Sequence, residues 1–196
     1  MVQCEPAEGV AYRLVSWTLL LEECGRLSLY KSRRRRLVSY LFLKLLHVTS
    51  VIAFLGNITT GLFWANHAHK SRDFKLIASA FDGIIRSDRL FTGPGVVGIL
   101  VTGFSAAIVA KVPILSTGWI FWSIILFSIS GLVFGVWVAP LQRKIRDAAR
   151  AADSTDLTWQ KYTKLYKSWE VWGLVALMTP VVAMIIMVMK PALPGI

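Results

Sequence analysis

Hydrophobic residues are concentrated in four long stretches of the chain, at Leu37–Trp64, Leu90–Ala110, Thr117–Ala139 and Trp169–Met189. A helix needs about 20 apolar residues to cross a hydrocarbon core of about 30 Å, and each stretch reaches or exceeds that length. The pattern therefore predicts an all-α membrane protein, a four-transmembrane-helix bundle in contact with the lipid bilayer. We call the stretches spans 1 to 4.

The connection between spans 1 and 2 has a helical pattern of its own. Within Phe74–Ile85, apolar residues recur every three or four positions, and charged residues occupy much of the remaining surface. A helix with one apolar and one charged face is typical of the headgroup region of a membrane. We predict an amphipathic interfacial helix that ends at Ser87–Arg89, followed by a turn at Thr92–Gly95 that leads into span 2.

The connection between spans 3 and 4 has two parts. Leu141–Ala152 is basic and alanine-rich, and polar residues at 153–156 interrupt it. From Trp159, aromatic residues fall on one side of a new helix and lysines on the other. This pattern predicts a second amphipathic interfacial segment, which turns into span 4.

Small residues recur every three to five positions in spans 2 and 3. Such ladders let helix backbones approach closely, which drives helix association in lipid. We predict helix packing at these positions and expect span 2 to be the most buried helix. The predicted packing residues are Gly95, Gly98, Gly103, Ala106, Gly131 and Gly135.

Composition supports one membrane domain at 37–191 with a short tail at 192–196. The chain is 55% hydrophobic, with a mean hydropathy of +0.58, which is too apolar for a soluble domain of its length. Residues 1–36 contain several glutamates, so they are not expected to cross the membrane. We interpret them as an N-terminal extension that is an interfacial helix, a disordered arm, or sequence upstream of the true start.

The formal net charge of +11 comes from lysines and arginines that flank the spans. Their position is typical of membrane topology signals and contacts with anionic headgroups, so no nucleic-acid partner is expected. The long connections, 66–89 and 140–168, hold most of these residues, which favours a cytoplasmic location for both. The basic cluster at Lys31–Arg36 argues for the opposite orientation.

Span 1 contains an ionisable pair, Lys44 and His47, on one helical face. Polar groups inside a membrane span are expected to point into the bundle and to be functional. Three interpretations remain open: a redox-cofactor or proton-path role, a contact with a partner, or a structural role. In the structural case Lys44 reaches the headgroups and His47 binds a neighbouring hydroxyl.

Haem is the cofactor that a histidine in a span suggests first. A second histidine ligand is not expected, because His67 and His69 lie about 30 Å from His47 along a helix. The iron would then have His47 and a methionine of span 4 as ligands, or be five-coordinate. Span 4 has four methionines: Met178, Met184, Met187 and Met189.

From about Val38 to Pro191 the chain resembles a bacterial family known only as predicted integral membrane proteins of unknown function. Short segments in a fixed order carry the resemblance: Leu43–His47, Gly61–Trp64, Asp88–Pro94, Gly118–Trp119, Trp169 with Gly173 and Pro180, and Met187–Pro191. The resemblance implies a multi-pass protein of the bacterial inner membrane.

The first span is also similar to a wider group of four-helix membrane proteins. The group includes the copper-resistance D type and a membrane-bound protoporphyrinogen oxidase that uses b-type haem. That oxidase has a Lys-x-x-His pair followed by Gly-Leu-Phe, as at Lys44, His47 and Gly61–Phe63, but its pattern does not continue beyond Phe63. This similarity implies a haem-associated site at His47 with Lys44 nearby. The alternative function is a non-catalytic accessory subunit of a larger membrane complex, or a protein that associates with itself.

Overall fold

The computed structural model describes residues 8–152 and 156–195 of the 196. The structure is 89% helical, and no strand occurs in the described ranges. The predicted all-α class is therefore confirmed. The helices are α1 (Glu8–Ser71), α2 (Phe74–Ser87), α3 (Gly93–Ala110), α4 (Gly118–Val133), α5 (Ala139–Arg150) and α6 (Asp156–Met189).

Four stretches of helix in the described ranges are long and apolar enough to cross a membrane. They are Arg33–Ser71, Phe74–Ala110, Gly118–Arg150 and Thr158–Met189. Each contains one of the four predicted spans, so the four-helix transmembrane architecture is confirmed.

Contacts divide the chain into two compact units, Met1–Phe42 and Leu43–Ile196. In the first unit the backbone is helical from Glu8 onward, and residues 1–7 lie outside the described ranges. The predicted extension at 1–36 falls within this unit. All contacts discussed below belong to the second unit.

The predicted helix break near Asp88 does not exist. A turn of π-helix at Asp88–Thr92 joins α2 to α3, and a second at Phe134–Val138 joins α4 to α5. In each, a backbone N–H donates to a carbonyl five residues earlier, and a proline follows at Pro94 or Pro140. Proline cannot donate a hydrogen bond and its ring crowds the carbonyl four residues earlier, so a wider turn lets the helix continue past it.

The tightest packing lies where the long connections join the spans. There, the apolar faces of α2 and α5 are buried against each other and against the ends of α1 and α6. Ile77 and Phe81 of α2 and Ile145 of α5 are fully buried, as is Ala65 of α1. The amphipathic helix predicted before span 2 is α2, and the one predicted from Trp159 is the start of α6, where the aromatic side is buried and the lysines are exposed. The apolar faces of both meet protein.

The glycines of span 2 predict that it is the most buried span, and this prediction is wrong. In the most apolar 18-residue window of each helix, 11% of residues are buried in the helix that contains span 2, against 22% for span 4. Span 4 is more enclosed because its helix packs along α4, and Gly173, Ala176 and Ala183 are buried.

Candidate functional site

The His47 side chain lies between α1 and α3 and is half-buried. Its Nδ1 is 3.0 Å from the carbonyl oxygen of Ile99 and 3.4 Å from the hydroxyl of Thr102. Because a carbonyl oxygen only accepts, Nδ1 must carry the hydrogen. In the neutral ring, Nε2 then keeps its lone pair and is free to accept a hydrogen bond or to bind a metal.

Glycines of α3 make the close approach to α1 that seats this ring. A Cβ added at Gly103 would lie 3.0 Å from His47 Cε1, and one added at Gly95 would lie 3.2 Å from Phe54 Cβ. A Cβ at Gly98 would collide with the hydroxyl oxygen of Ser50. These three predicted packing residues thus face α1 at short range.

The other predicted packing residues lie in more open surroundings. Ala106 is half-buried, whereas Gly131 and Gly135 are exposed. A Cβ added at either glycine would meet no atom within 4 Å outside its own helix turn. In the part of the chain that the structure describes, neither of these two glycines therefore packs closely against another helix.

Lys44 and the methionines are not gathered around His47. The Lys44 side chain is exposed one helical turn before the histidine, so it does not point with His47 into the bundle. Met178, Met184 and Met189 of α6 are exposed and Met187 is half-buried. The described neighbours of the imidazole come instead from α3.

The second polar site surrounds Asp88, in the first π turn. Asn57 Nδ2 donates to Asp88 Oδ1 at 3.0 Å and to Thr92 Oγ1 at 2.9 Å. Thr92 Oγ1 donates to the same carboxylate oxygen at 2.8 Å, and Gln142 Nε2 donates to Oδ2 at 2.9 Å. Donors from α1, the π turn and α5 thus converge on one carboxylate.

A cavity lies beside this cluster. Its volume, measured as the space open to the centre of a water molecule, is about 80 Å³. The walls are mainly apolar and aromatic, and residues of both π turns contribute to them. Wall residues include Phe54, Phe127, Phe134, Val138, Gly131 and Trp169.

Trp169 lines this cavity and carries an unsatisfied donor. The residue is only 3% exposed, and its indole Nε1 has no hydrogen-bond partner among the residues that the structure describes. Buried donors are normally paired, and an unpaired one costs about 1–3 kcal/mol. An unpaired N–H in a cavity wall marks a place where an acceptor fits.

The Asp88 cluster does not follow from the sequence pattern. The pattern places Asp88 at a helix end and does not connect it with Asn57 in span 1. The cluster joins segments that are 31 and 54 residues apart, so no local spacing reveals it. A carboxylate next to an apolar span is the one local signal that could have pointed to it.

Metal binding by protein side chains alone has little support. In the described ranges, no group of three or more His, Cys, Asp or Glu residues could hold an ion.

His69 lies at the far end of α1. Its Nδ1 is 3.1 Å from the Tyr162 hydroxyl, and its ring stacks on Tyr166 at a ring-centroid distance of 4.1 Å. It therefore serves the contact between α1 and α6.

Comparison with known families settles the relationship of the chain. A family model described as predicted integral membrane protein (DUF2269) matches residues 41–191. The chain belongs to this family. The DUF2269 match covers most of span 1, the other three spans, both π turns, His47 and Asp88, and so confirms the predicted membership of a membrane protein family without assigned function.

No curated protein and no solved structure matches the chain. The comparisons therefore give no support to the wider similarity with the copper-resistance D and oxidase group. For this DUF2269 protein, an integral membrane location with four apolar helices is established, and a haem remains a prediction.

Proposed function

We propose that this protein is redox-linked and that His47 ligates the iron of a b-type haem. The observation that carries the proposal is the hydrogen bond from His47 Nδ1 to the carbonyl of Ile99. Histidines that bind metals commonly donate their other ring N–H to a carbonyl or carboxylate, which fixes the tautomer and the ring orientation. A haem held here would supply one-electron transfer within the membrane.

The residues around His47 leave one nitrogen of this ring for a metal. Ile99 and Thr102 hold the ring by Nδ1, and Gly103 leaves room for it against α3. Nε2 is the nitrogen that would hold iron. The methionines of α6 are not among the described neighbours of the ring.

The test is a visible absorption spectrum of the detergent-purified protein, before and after haem is added. We expect a Soret band that His47→Ala abolishes while the protein stays inserted and folded. His67→Ala is the matched control, because His67 is exposed on the same helix. Met178→Leu or Met184→Leu should alter the spectrum only if a methionine is the second ligand.

Lys44 has a separate expected outcome. Because its side chain is exposed, Lys44→Ala should leave the haem bound and shift its properties slightly. A folded, pure sample without visible absorbance and without haem uptake would rule out the haem proposal.

An accessory role in a larger membrane assembly is the second candidate. Its support is the open ladder at Gly131 and Gly135, which no other part of the chain covers in the described ranges. Small residues of this kind permit close contact with another helix in lipid. If they contact another subunit or a second copy, Gly135→Leu should reduce the size of the assembly extracted in mild detergent. An unchanged monomer-sized particle in both proteins would contradict this role.

We further propose that the long connections face the cytoplasm of a bacterial cell, because they hold most of the flanking lysines and arginines. Cysteines placed at Ser79 and Lys161, both exposed, should resist an impermeant thiol reagent applied to intact cells. The background for this test is Cys4→Ser with Cys24→Ser. Rapid labelling at both positions would show that the connections face the outside, which is the orientation that the basic cluster at Lys31–Arg36 predicts.

A further inference from the structure

We propose that the cavity beside Asp88 binds a small, neutral, lipid-soluble molecule of the quinol class. The proposal stands on the geometry of the cavity and does not require haem at His47. Three features of the walls define the ligand: an unpaired donor, a carboxylate with free accepting capacity, and aromatic surfaces.

The donor is the indole N–H of Trp169. It is buried and has no partner, so a ligand with a carbonyl or hydroxyl oxygen would satisfy it. The acceptor is the carboxylate of Asp88, whose Oδ2 receives a hydrogen bond from Gln142. A carboxylate oxygen has two lone-pair sites, so a ligand hydroxyl can donate to this one as well.

The remaining walls favour a flat apolar body. Phe54 and Phe127 have ring centroids 5.5 Å apart, and both line the cavity together with Phe134. No lysine or arginine lines the cavity, so the site offers nothing to a ligand anion. A ring that carries one acceptor and one hydroxyl, and no charge, matches all of these groups.

The route of access is suited to a molecule dissolved in the bilayer. Gly131 is the exposed residue among those that line the cavity, and it lies in the third apolar span. Its neighbours Ile129 and Leu132 are exposed apolar residues, as expected for a lipid-facing surface. A Cβ added at Gly131 would meet no neighbour within 4 Å, so the space beside this residue is open and a large side chain there would occupy it.

The experiment measures equilibrium binding of a short-tailed benzoquinol, kept reduced, to the full chain, free of haem, in lipid nanodiscs. We expect saturable binding that Gly131→Leu abolishes by filling the space beside this residue. Gly56→Leu is the control, because Gly56 is also an exposed glycine with no neighbour within 4 Å and does not line the cavity. It should bind the quinol as the unmodified protein does.

A second pair of variants tests the indole donor. Trp169→Phe keeps an aromatic ring and removes the N–H, so the dissociation constant should rise about threefold to tenfold, the loss of one neutral hydrogen bond. Trp172→Phe is the control, because Trp172 stacks on Trp137 outside the cavity. This pair decides the question if Gly131→Leu fails to fold.

His47→Ala should leave quinol binding unchanged, so failure of the haem proposal and failure of this one are separate results. Absence of saturable binding would show that the cavity does not take a quinol. Binding by the Gly131→Leu and Trp169→Phe proteins as tight as by the unmodified protein would place the quinol elsewhere. Either result overturns the proposal.

Discussion

The two ends of the second unit are stabilised in different ways. At the packed end, where α2 and α5 meet the ends of α1 and α6, large apolar side chains such as Phe81 and Ile145 are completely buried. At the opposite end, around His47, the contact between α1 and α3 depends on glycines, and many large apolar residues are exposed. We call these regions the packed end and the lipid end.

The difference follows from the solvent that each region meets. Where water is present, burial of apolar surface stabilises helix contacts, and the packed end has the core of a soluble helical bundle. Lipid tails are as apolar as leucine, so burial contributes little between the spans. There, close backbone approach and hydrogen bonds such as that of His47 hold the helices together. Four substitutions test this comparison.

The largest effect is expected at Phe81. Its side chain is fully buried and packs edge-on against Trp169, with ring centroids 5.1 Å apart. Phe81→Ala should lower the free energy of unfolding by about 3–5 kcal/mol, since it removes apolar contacts and leaves a cavity. Thermal unfolding in detergent measures the effect. Phe63→Ala is the control, because Phe63 is 64% exposed, and it should change the free energy of unfolding little. Similar losses in both proteins would contradict the distinction between the two ends.

This contrast also separates what the sequence predicts from what it does not. The four spans and the apolar face of α2 follow from periodicity, because lipid and packing both select one face of a helix. The partner of that face does not follow, since the same pattern serves a membrane surface or a protein core. Only the tertiary arrangement shows that Phe81 meets Trp169.

The candidate sites show the same limit. His47 was predicted because an ionisable group inside an apolar span is conspicuous along the chain. Its bond to Ile99 and the exposure of Lys44 depend on how α1 and α3 are placed. The Asp88 cluster could not be predicted because its four residues come from distant segments. In addition, the glycines and proline that follow the π turn are typical of a helix end, although the helix continues.

At the lipid end, the largest effect is expected at Gly103. A Cβ there would lie 3.0 Å from the His47 ring, so Gly103→Leu must displace either the ring or α3. We expect a loss of about 3 kcal/mol in the free energy of unfolding, the upper range for overpacking. Gly56→Leu, at a position with no neighbour within 4 Å, is the control and should be tolerated. If Gly103→Leu unfolds no earlier than Gly56→Leu, close backbone approach does not hold this end together.

An intermediate effect is expected at Asn57, which lies between the two ends. Asn57→Ala removes one donor to the Asp88 carboxylate and one to Thr92. The expected loss is about 2 kcal/mol, because a partly buried carboxylate is left with fewer hydrogen bonds. Thr59→Ala is the control, since Thr59 is exposed and its hydroxyl bonds only within its own helix. Chemical unfolding of both variants in detergent measures the difference, and equal stability would show that the cluster is not structural.

The smallest effect is expected from the charges at the surface of the packed end. Asp82 of α2 pairs with Arg150 of α5 and lies 3.9 Å from the guanidinium of Arg146. All three side chains are partly exposed, so water and salt screen the attraction. Asp82→Asn should therefore lower the free energy of unfolding by about 0.5 kcal/mol, and by less in high salt.

The control for Asp82 is Asp147→Asn, which removes a charge that pairs with Arg146 inside α5 and joins no two helices. Chemical unfolding at low and high salt measures both variants. If Asp82→Asn lowers the free energy of unfolding nearly as much as Phe81→Ala, ion pairs and not buried apolar surface stabilise the contact between α2 and α5. The packed end would then not be a soluble-type core. A loss that is small and vanishes in salt leaves the buried side chains as the source of its stability.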